Sequence, residues 1–259
     1  MTAKLFLLLF LAQSAFAYIP PSRFIAKMIA RKHDGIKGIK IRTQVMSFED
    51  GKPTSTRFDE VTVLDYETHV LKSWVYDSGG TEIYEVEKRG NSFTPTDALL
   101  LDSRASEVVR VLKDNGIPML NEEEILASKD EPEWVSRWEA EGNLKIAWVI
   151  GMKKGPELWV EKDTFLPLRL LIDQDIRFSD YRFHKEFPYP DTIKLFKAVS
   201  TKGNGSILYP AFEAKTEEVT VDPNAKDLKR KAVTGYTDAG NSTSFDMKGL
   251  IRHYYETLR

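Results

Sequence analysis

The sequence predicts an α+β protein that is mainly β, an antiparallel sheet with an apolar face covered by a few helices. Three observations predict it. Apolar residues recur with period 2 at Ile39, Ile41, Thr43 and Val45, and again at Leu144, Ile146, Trp148 and Ile150, the alternation of a half-buried strand. Turn chemistry such as Glu49-Asp50-Gly51-Lys52-Pro53 and Asp77-Ser78-Gly79-Gly80 separates consecutive strand-like runs, which makes an antiparallel meander. Helical spacing is confined to 22–32, 103–114, 122–140 and 245–258, and a sheet that is apolar on one side needs such a cover.

The elements follow in order. Residues 1–17 read as a secretory signal peptide rather than as fold. Lys4 gives a positive start, Leu5 to Ala12 an unbroken apolar run, and Ala15-Phe16-Ala17 a small-residue cleavage site before Tyr18. The apolar run is well short of the roughly 20 residues that cross a bilayer. Pro20-Pro21-Ser22 opens a short helix with Phe24, Ile25, Met28 and Ile29 on one face, ended by His33, Asp34 and Gly35. Strands are expected from 39 to 46 and near 55–64, 68–77 and 81–88.

Ala105, Val108, Val109 and Leu112 then mark a helix closed by Asn115-Gly116. Asn121 and Glu124 have capping-box spacing, and Glu131-Pro132 opens a further turn with Trp134 and Trp138 one turn apart. After Gly142 strands return at 144–150, 158–161, 168–172, 176–183, 191–198 and 206–221, with Pro210 marking an edge or a bulge in the last. Residues 222–244 are polar and predict a mobile loop. Ser244 then caps a final helix with Met247, Leu250, Ile251, Tyr254 and Leu258 on one face. No linker-like break forces a second domain. The expected organisation is a signal peptide at 1–17, one domain at 18–221, and a loop and helix at 222–259 packed on that domain.

Composition excludes several functions. The chain has 259 residues, 37 Lys plus Arg against 39 Asp plus Glu, and a formal net charge of −2, so no global basic field draws in nucleic acid. With no cysteine there are no disulfides, thiolate metal sites, cysteine nucleophiles or lipid-modified cysteine. His33, His69, His184 and His253 stand far apart in the sequence without metal-ligand spacing. Neither a G-x-S-x-G elbow nor a phosphate-cradling glycine loop is present, and no cofactor is expected.

Asp173 and Asp175 fall on one face of an extended segment, where two carboxylates could share a proton or hold a cation; a solvated turn is the plain alternative. Lys226, Lys229, Arg230 and Lys231 form the densest basic run, which suits lipid phosphate or an acidic partner, or serves as a solvated loop. The positive signal is an excess of rings and apolar residues. Trp148 shares a face with Ile146 and Ile150, yet Ala147 and Val149 on the other face are apolar too, and Trp74 shares a face with Tyr76. Such stripes make either a packed core or, under a helical lid on a curved sheet, a cavity for acyl chains.

The stretch Leu158-Trp159-Val160-Glu161-Lys162-Asp163-Thr164-Phe165-Leu166-Pro167-Leu168-Arg169-Leu170, then Phe178-Ser179-Asp180-Tyr181-Arg182 and Phe187-Pro188-Tyr189-Pro190-Asp191-Thr192-Ile193, resembles the LolA-like family of periplasmic lipoprotein-sorting proteins. The order of elements agrees over about 19–221, and the tail at 222–259 lies outside the resemblance. It implies a strongly curved antiparallel sheet, an incomplete β-barrel, with helices closing its open side over an apolar cavity. It also implies a monomeric, non-enzymatic periplasmic carrier of a lipid or an acylated lipoprotein that meets inner- or outer-membrane transport proteins. Some relatives are instead envelope-stress sensors that grip a protein partner.

On this reading Trp74, Tyr76, Trp148, Leu168, Leu170 and Ile172 line the cavity, and Trp134 and Trp138 belong to the lid. An enzyme would have to draw on Asp173, Asp175, Tyr181 and His184.

Overall fold

In a computed structural model of the chain, residues 20–121, 123–124, 138–141, 143–151, 155–200, 206–232, 235–236 and 245–259 are described. Strands β1 (Gly38–Glu49), β2 (Lys52–Asp65), β3 (Val70–Tyr76) and β4 (Glu82–Arg89) form a first meander. A second runs through β5 (Trp138–Glu141), β6 (Asn143–Gly151), β7 (Glu157–Glu161), β8 (Pro167–Leu171), β9 (Asp175–His184), β10 (Phe187–Ser200) and β11 (Ser206–Val221). Pairing of β1 with β11 joins the two, and with β12 (Gly235–Tyr236) the order is β12-β4-β3-β2-β1-β11-β10-β9-β8-β7-β6-β5. Inward residues of ten strands share one core with the helices, and among the described residues the end strands β12 and β5 do not pair with each other, so the curved sheet is an open half-barrel and not a closed one.

Local chemistry sets the register. Asp50 and Gly51 both take positive φ, 48° and 76°, between the paired Glu49 and Lys52, the two-residue hairpin turn that the Asp-Gly pair favours. Pro210 sits at a register shift against β10, beyond Phe212, the last β11 residue paired with β1. It thus withholds its missing N–H from a ladder only where one neighbour remains.

Helices α1 (Ser22–Ala30), α2 (Pro95–Leu101), α3 (Ala105–Asp114) and α5 (Phe245–Thr257) lie where the chain buries its apolar faces, and the short α4 (Ala225–Lys229) lies on the other side of the sheet. One continuous core joins Ile25 and Ile29 of α1, Leu99 to Leu101 of α2 and Val108 of α3 to inward residues of ten strands, and takes in Ile251, Tyr254 and Leu258 of the last helix and its end.

Two expectations are corrected and one helix is added. The predicted helix at 122–140 fails at its end, because 138–141 is strand β5, paired with β6 through Trp138↔Ile146; residues 125–137 lie outside the described set. Helix α2 was not foreseen. Its residues from Thr96 to Leu101 are all buried, so it has no wet face to give an amphipathic pattern. Its one sequence mark is the reciprocal cap in which Thr94 Oγ1 accepts from Asp97 N and Asp97 Oδ2 accepts from Thr94 N, each at 3.2 Å. The tail from 222 is also not a plain loop: Asn224 Oδ1 accepts from the backbone of Lys226 and Asp227 and starts α4, and β12 adds to β4.

Candidate functional site

Among the described residues the inner face of the half-barrel carries the most extensive buried apolar cluster, and helix α5 packs against it. Ile251 is fully buried, and Tyr254 and Leu258 lie nearly flush with it; Lys248, Arg252 and Glu256 face outward. Tyr254 meets Phe58 of β2 edge-on at 5.4 Å and Phe212 of β11 at 5.6 Å, and Tyr255 lies 4.8 Å from Tyr84 of β4. Three parts of the sheet therefore close on two tyrosines.

A charged knot lies beneath those rings. Glu60 on β2 is fully buried and accepts from Tyr254 Oη at 3.1 Å, Tyr255 Oη at 2.6 Å and Arg259 Nε at 3.2 Å. Arg259 pairs with Glu60 at 3.1 Å, approaches Asp97 of α2 at 3.7 Å and donates to Tyr189 Oη of β10 at 3.4 Å. Asp97 also takes Lys88 Nζ at 3.1 Å. Two cations and two carboxylates balance. Burial raises the Asp97 carboxyl, yet Lys88 and Arg259 outweigh it and hold that group below its usual range. Burial pushes both tyrosines well up, and the adjacent Glu60 carboxylate adds to the rise, so each stays a neutral donor.

The proposed lining residues do not share one surface. Trp148, Leu170 and Ile172 join the main inner core. Trp74 and Tyr76 lie on the outer face instead, where Trp74 packs with Val63, Leu228 and Ala232 beneath the 225–232 segment. Arg230 from the basic run stacks 4.1 Å from the Trp74 ring, donates to Tyr76 Oη at 2.9 Å and pairs with Glu82. Leu168 joins Ala147, Val149 and Trp159 in a separate outer cluster, which explains why β6 is apolar on both sides. Trp138 is placed on strand β5, not on a lid helix, and Trp134 lies outside the described residues.

The enzyme candidates also disperse. Asp173 is exposed, whereas Asp175 is buried between Arg169, at 2.8 and 2.9 Å, and Arg177, at 3.0 Å; the two carboxylates form no pair. Tyr181 donates to Pro167 O at 2.8 Å, and burial lowers the His184 imidazole against the pull of Asp191. Among the described residues no group of acidic or histidine side chains could hold a metal ion. Outside the barrel, Trp159, Leu168, Arg169, Arg177 and the exposed Phe183 border a cleft of about 460 Å³.

His33 supplies a pH-sensitive contact at the rim of the core. It is 3% exposed, its Nδ1–H donates to Asp102 O at 3.2 Å, and burial lowers its pKa from 6.5 to about 4. The folded state thus keeps it neutral while the unfolded chain protonates it below 6.5. Stability from this residue is present above pH 6.5 and is lost as pH falls toward 4, by about 2.5 kcal/mol between pH 7.5 and 4.5. Urea unfolding at both pH values should show that loss, and His33→Asn should flatten it; an equal slope in the variant removes His33 as the cause.

The fold resembles several solved structures. One is a LolA superfamily protein from Nitrosomonas europaea, 8% identical, covering 82% of this chain and 99% of that one with a TM-score of 0.48. Another is an outer membrane lipoprotein-sorting protein domain from Vibrio parahaemolyticus, 11% identical over 80% of this chain and 95% of that one, TM-score 0.43. A third is a DUF1329 family protein from Desulfovibrio piger, 11% identical over 81% and 96%, TM-score 0.38. No protein-family model matches the sequence, and no curated protein does.

Proposed function

We propose that this chain is an exported, non-enzymatic carrier or binding protein that holds the acyl chains of a lipid or lipoprotein inside the half-barrel. One observation carries the reading. The inner face of ten strands is apolar, and its centre is held by one helix anchored from its end, not by a second sheet. Transfer of about 20 methylenes to such a surface is worth on the order of 16 kcal/mol before ordering and opening costs. That margin suffices for capture, and a carrier that must also release its cargo has to lose most of it again.

The signal-like start at 1–17 favours export, to the periplasm in a cell with two membranes, and no described helix is long and apolar enough to cross a membrane. Balanced charge favours a lipidic over a nucleic-acid partner. The outer cleft beside Phe183 favours a second reading, an envelope sensor or scaffold that grips a protein.

Native mass spectrometry with lipid extraction, on protein purified without detergent from its exported location, tests the carrier. A bound lipid or acyl-peptide near unit stoichiometry is the expected result. A bare protein that also takes up no fluorescent fatty acid in solution overturns it and moves the weight to the protein partner.

A further inference from the structure

We propose that helix α5 is an internal stand-in for the ligand: it occupies the acyl site reversibly, locked through Arg259 on Glu60, and leaves when an acyl chain enters. This rests on the carrier reading above. Among the described residues, every side-chain partner of the Glu60 carboxylate belongs to the segment 254–259. The lock is therefore made and broken with that segment.

The chemistry of the lock suits exchange better than permanent closure. A buried ion pair contributes little net stability beside apolar residues of the same size, because both charges give up their hydration. When the helix leaves, Arg259 passes into water, Asp97 keeps Lys88 at 3.1 Å, and Glu60 exchanges its three donors for water or for a donor of the entering ligand. What it uncovers is an aromatic wall of Phe58, Tyr84 and Phe212 with one carboxylate in it. Such a surface takes an acyl chain on the rings and a hydrogen-bond donor, an amide N–H or a hydroxyl, on Glu60.

The helix itself is weakened at a place where packing does not require it. Gly249 lies within α5, its position is exposed, and a Cβ built there meets nothing within 4 Å. Glycine in an exposed helix interior is about 1 kcal/mol less favourable than alanine, or about fivefold in the seating equilibrium. Apparent ligand affinity falls by the fraction of molecules with an open site. The two positions should therefore shift affinity in opposite directions.

The test uses the full chain, a fluorescent fatty acid as probe, and hydrogen exchange of the amides of residues 247–258. In the wild type those amides should exchange through a local opening, faster than the core of β1, β2 and β11, and the probe should accelerate them. Gly249→Ala should slow their exchange and weaken probe binding by about fivefold. Arg259→Leu should speed exchange and tighten probe binding by about tenfold or more.

If the helix exchanges only together with the sheet in wild type and Gly249→Ala, it is a fixed part of the core and the proposal is overturned. If the probe binds while 247–258 stay as protected as before, exchange is overturned and the carrier reading stands. If none of the three chains takes the probe, both fall.

Discussion

Replacing Trp148 by Asp should abolish cooperative folding. Trp148 is 6% exposed and belongs to the core that joins the helices to the inner face of the sheet. Removing a buried Trp side chain costs about 3–5 kcal/mol through lost transfer energy and the cavity left behind. A carboxylate in that space adds a desolvation cost of several kcal/mol. Lys162 Nζ lies 5.4 Å from the centre of the indole ring, and a side chain as short as Asp does not reach the same place. Together these reach well into the 5–15 kcal/mol by which domains are usually stable. Circular dichroism and urea unfolding should show a chain with no cooperative transition. Trp148→Phe, with a loss of about 2 kcal/mol, should stay folded and allow acyl binding to be measured separately. If Trp148→Asp instead unfolds near the wild-type midpoint and loses only probe binding, Trp148 faces a ligand space and the core assignment is wrong.

Residue periodicity made most of the sheet legible. Alternation located β1, which has a dry face at Ile39, Ile41, Thr43 and Val45, and located β6 through Trp148 and Ile150 even though Ala147 and Val149 are covered on its other face, and Asp50-Gly51 identified a hairpin by its backbone demands. Helix α2 escaped because burial on every side erases periodicity. Trp138 was assigned to a helix because two tryptophans one turn apart fit a helical face, whereas its backbone pairs with Ile146; pairing with a distant strand leaves no local mark.

The candidate site was partly within reach. Glu60 shares one strand face with Phe58, Thr62 and Leu64, so the strand pattern itself places a carboxylate on an inward face. What the pattern could not supply was its partner, since Arg259 lies almost two hundred residues away and only tertiary closure brings the two within 3.1 Å. Trp74 shows the same limit in reverse. A tryptophan on a β3 face looks like core from the sequence, and it is buried, but by α4 and Arg230 on the outer side of the barrel. Periodicity reports that a face is covered without reporting what covers it.

Asp175 gives the other large expected effect. The pair Asp173 and Asp175 suggested shared-proton or cation chemistry, whereas the structure makes Asp175 the anion of a clasp. Arg169 on β8 and Arg177 on β9 are directly opposite in the ladder, and the 1% exposed Asp175 side chain lies between their guanidinium groups. Arg169 grips it with two bonds, and Arg177 also stacks 4.4 Å from the Phe196 ring. Like charges directly opposite in a sheet repel, and removing one partner of a buried ion pair costs about 3–5 kcal/mol. Asp175→Ala should therefore lower the unfolding free energy by about 3 kcal/mol or more. Asp175→Asn, which keeps an acceptor without the charge, should lose about half as much. Because the carboxylate is buried, 1 M salt should recover little of either loss, unlike that of a surface pair. The same arginines border the outer cleft, so any partner that docks there should weaken in step with stability across the two variants. An Asp175→Asn chain as stable as the wild type, but defective in a turnover assay or in cation binding, would instead return Asp175 to chemistry.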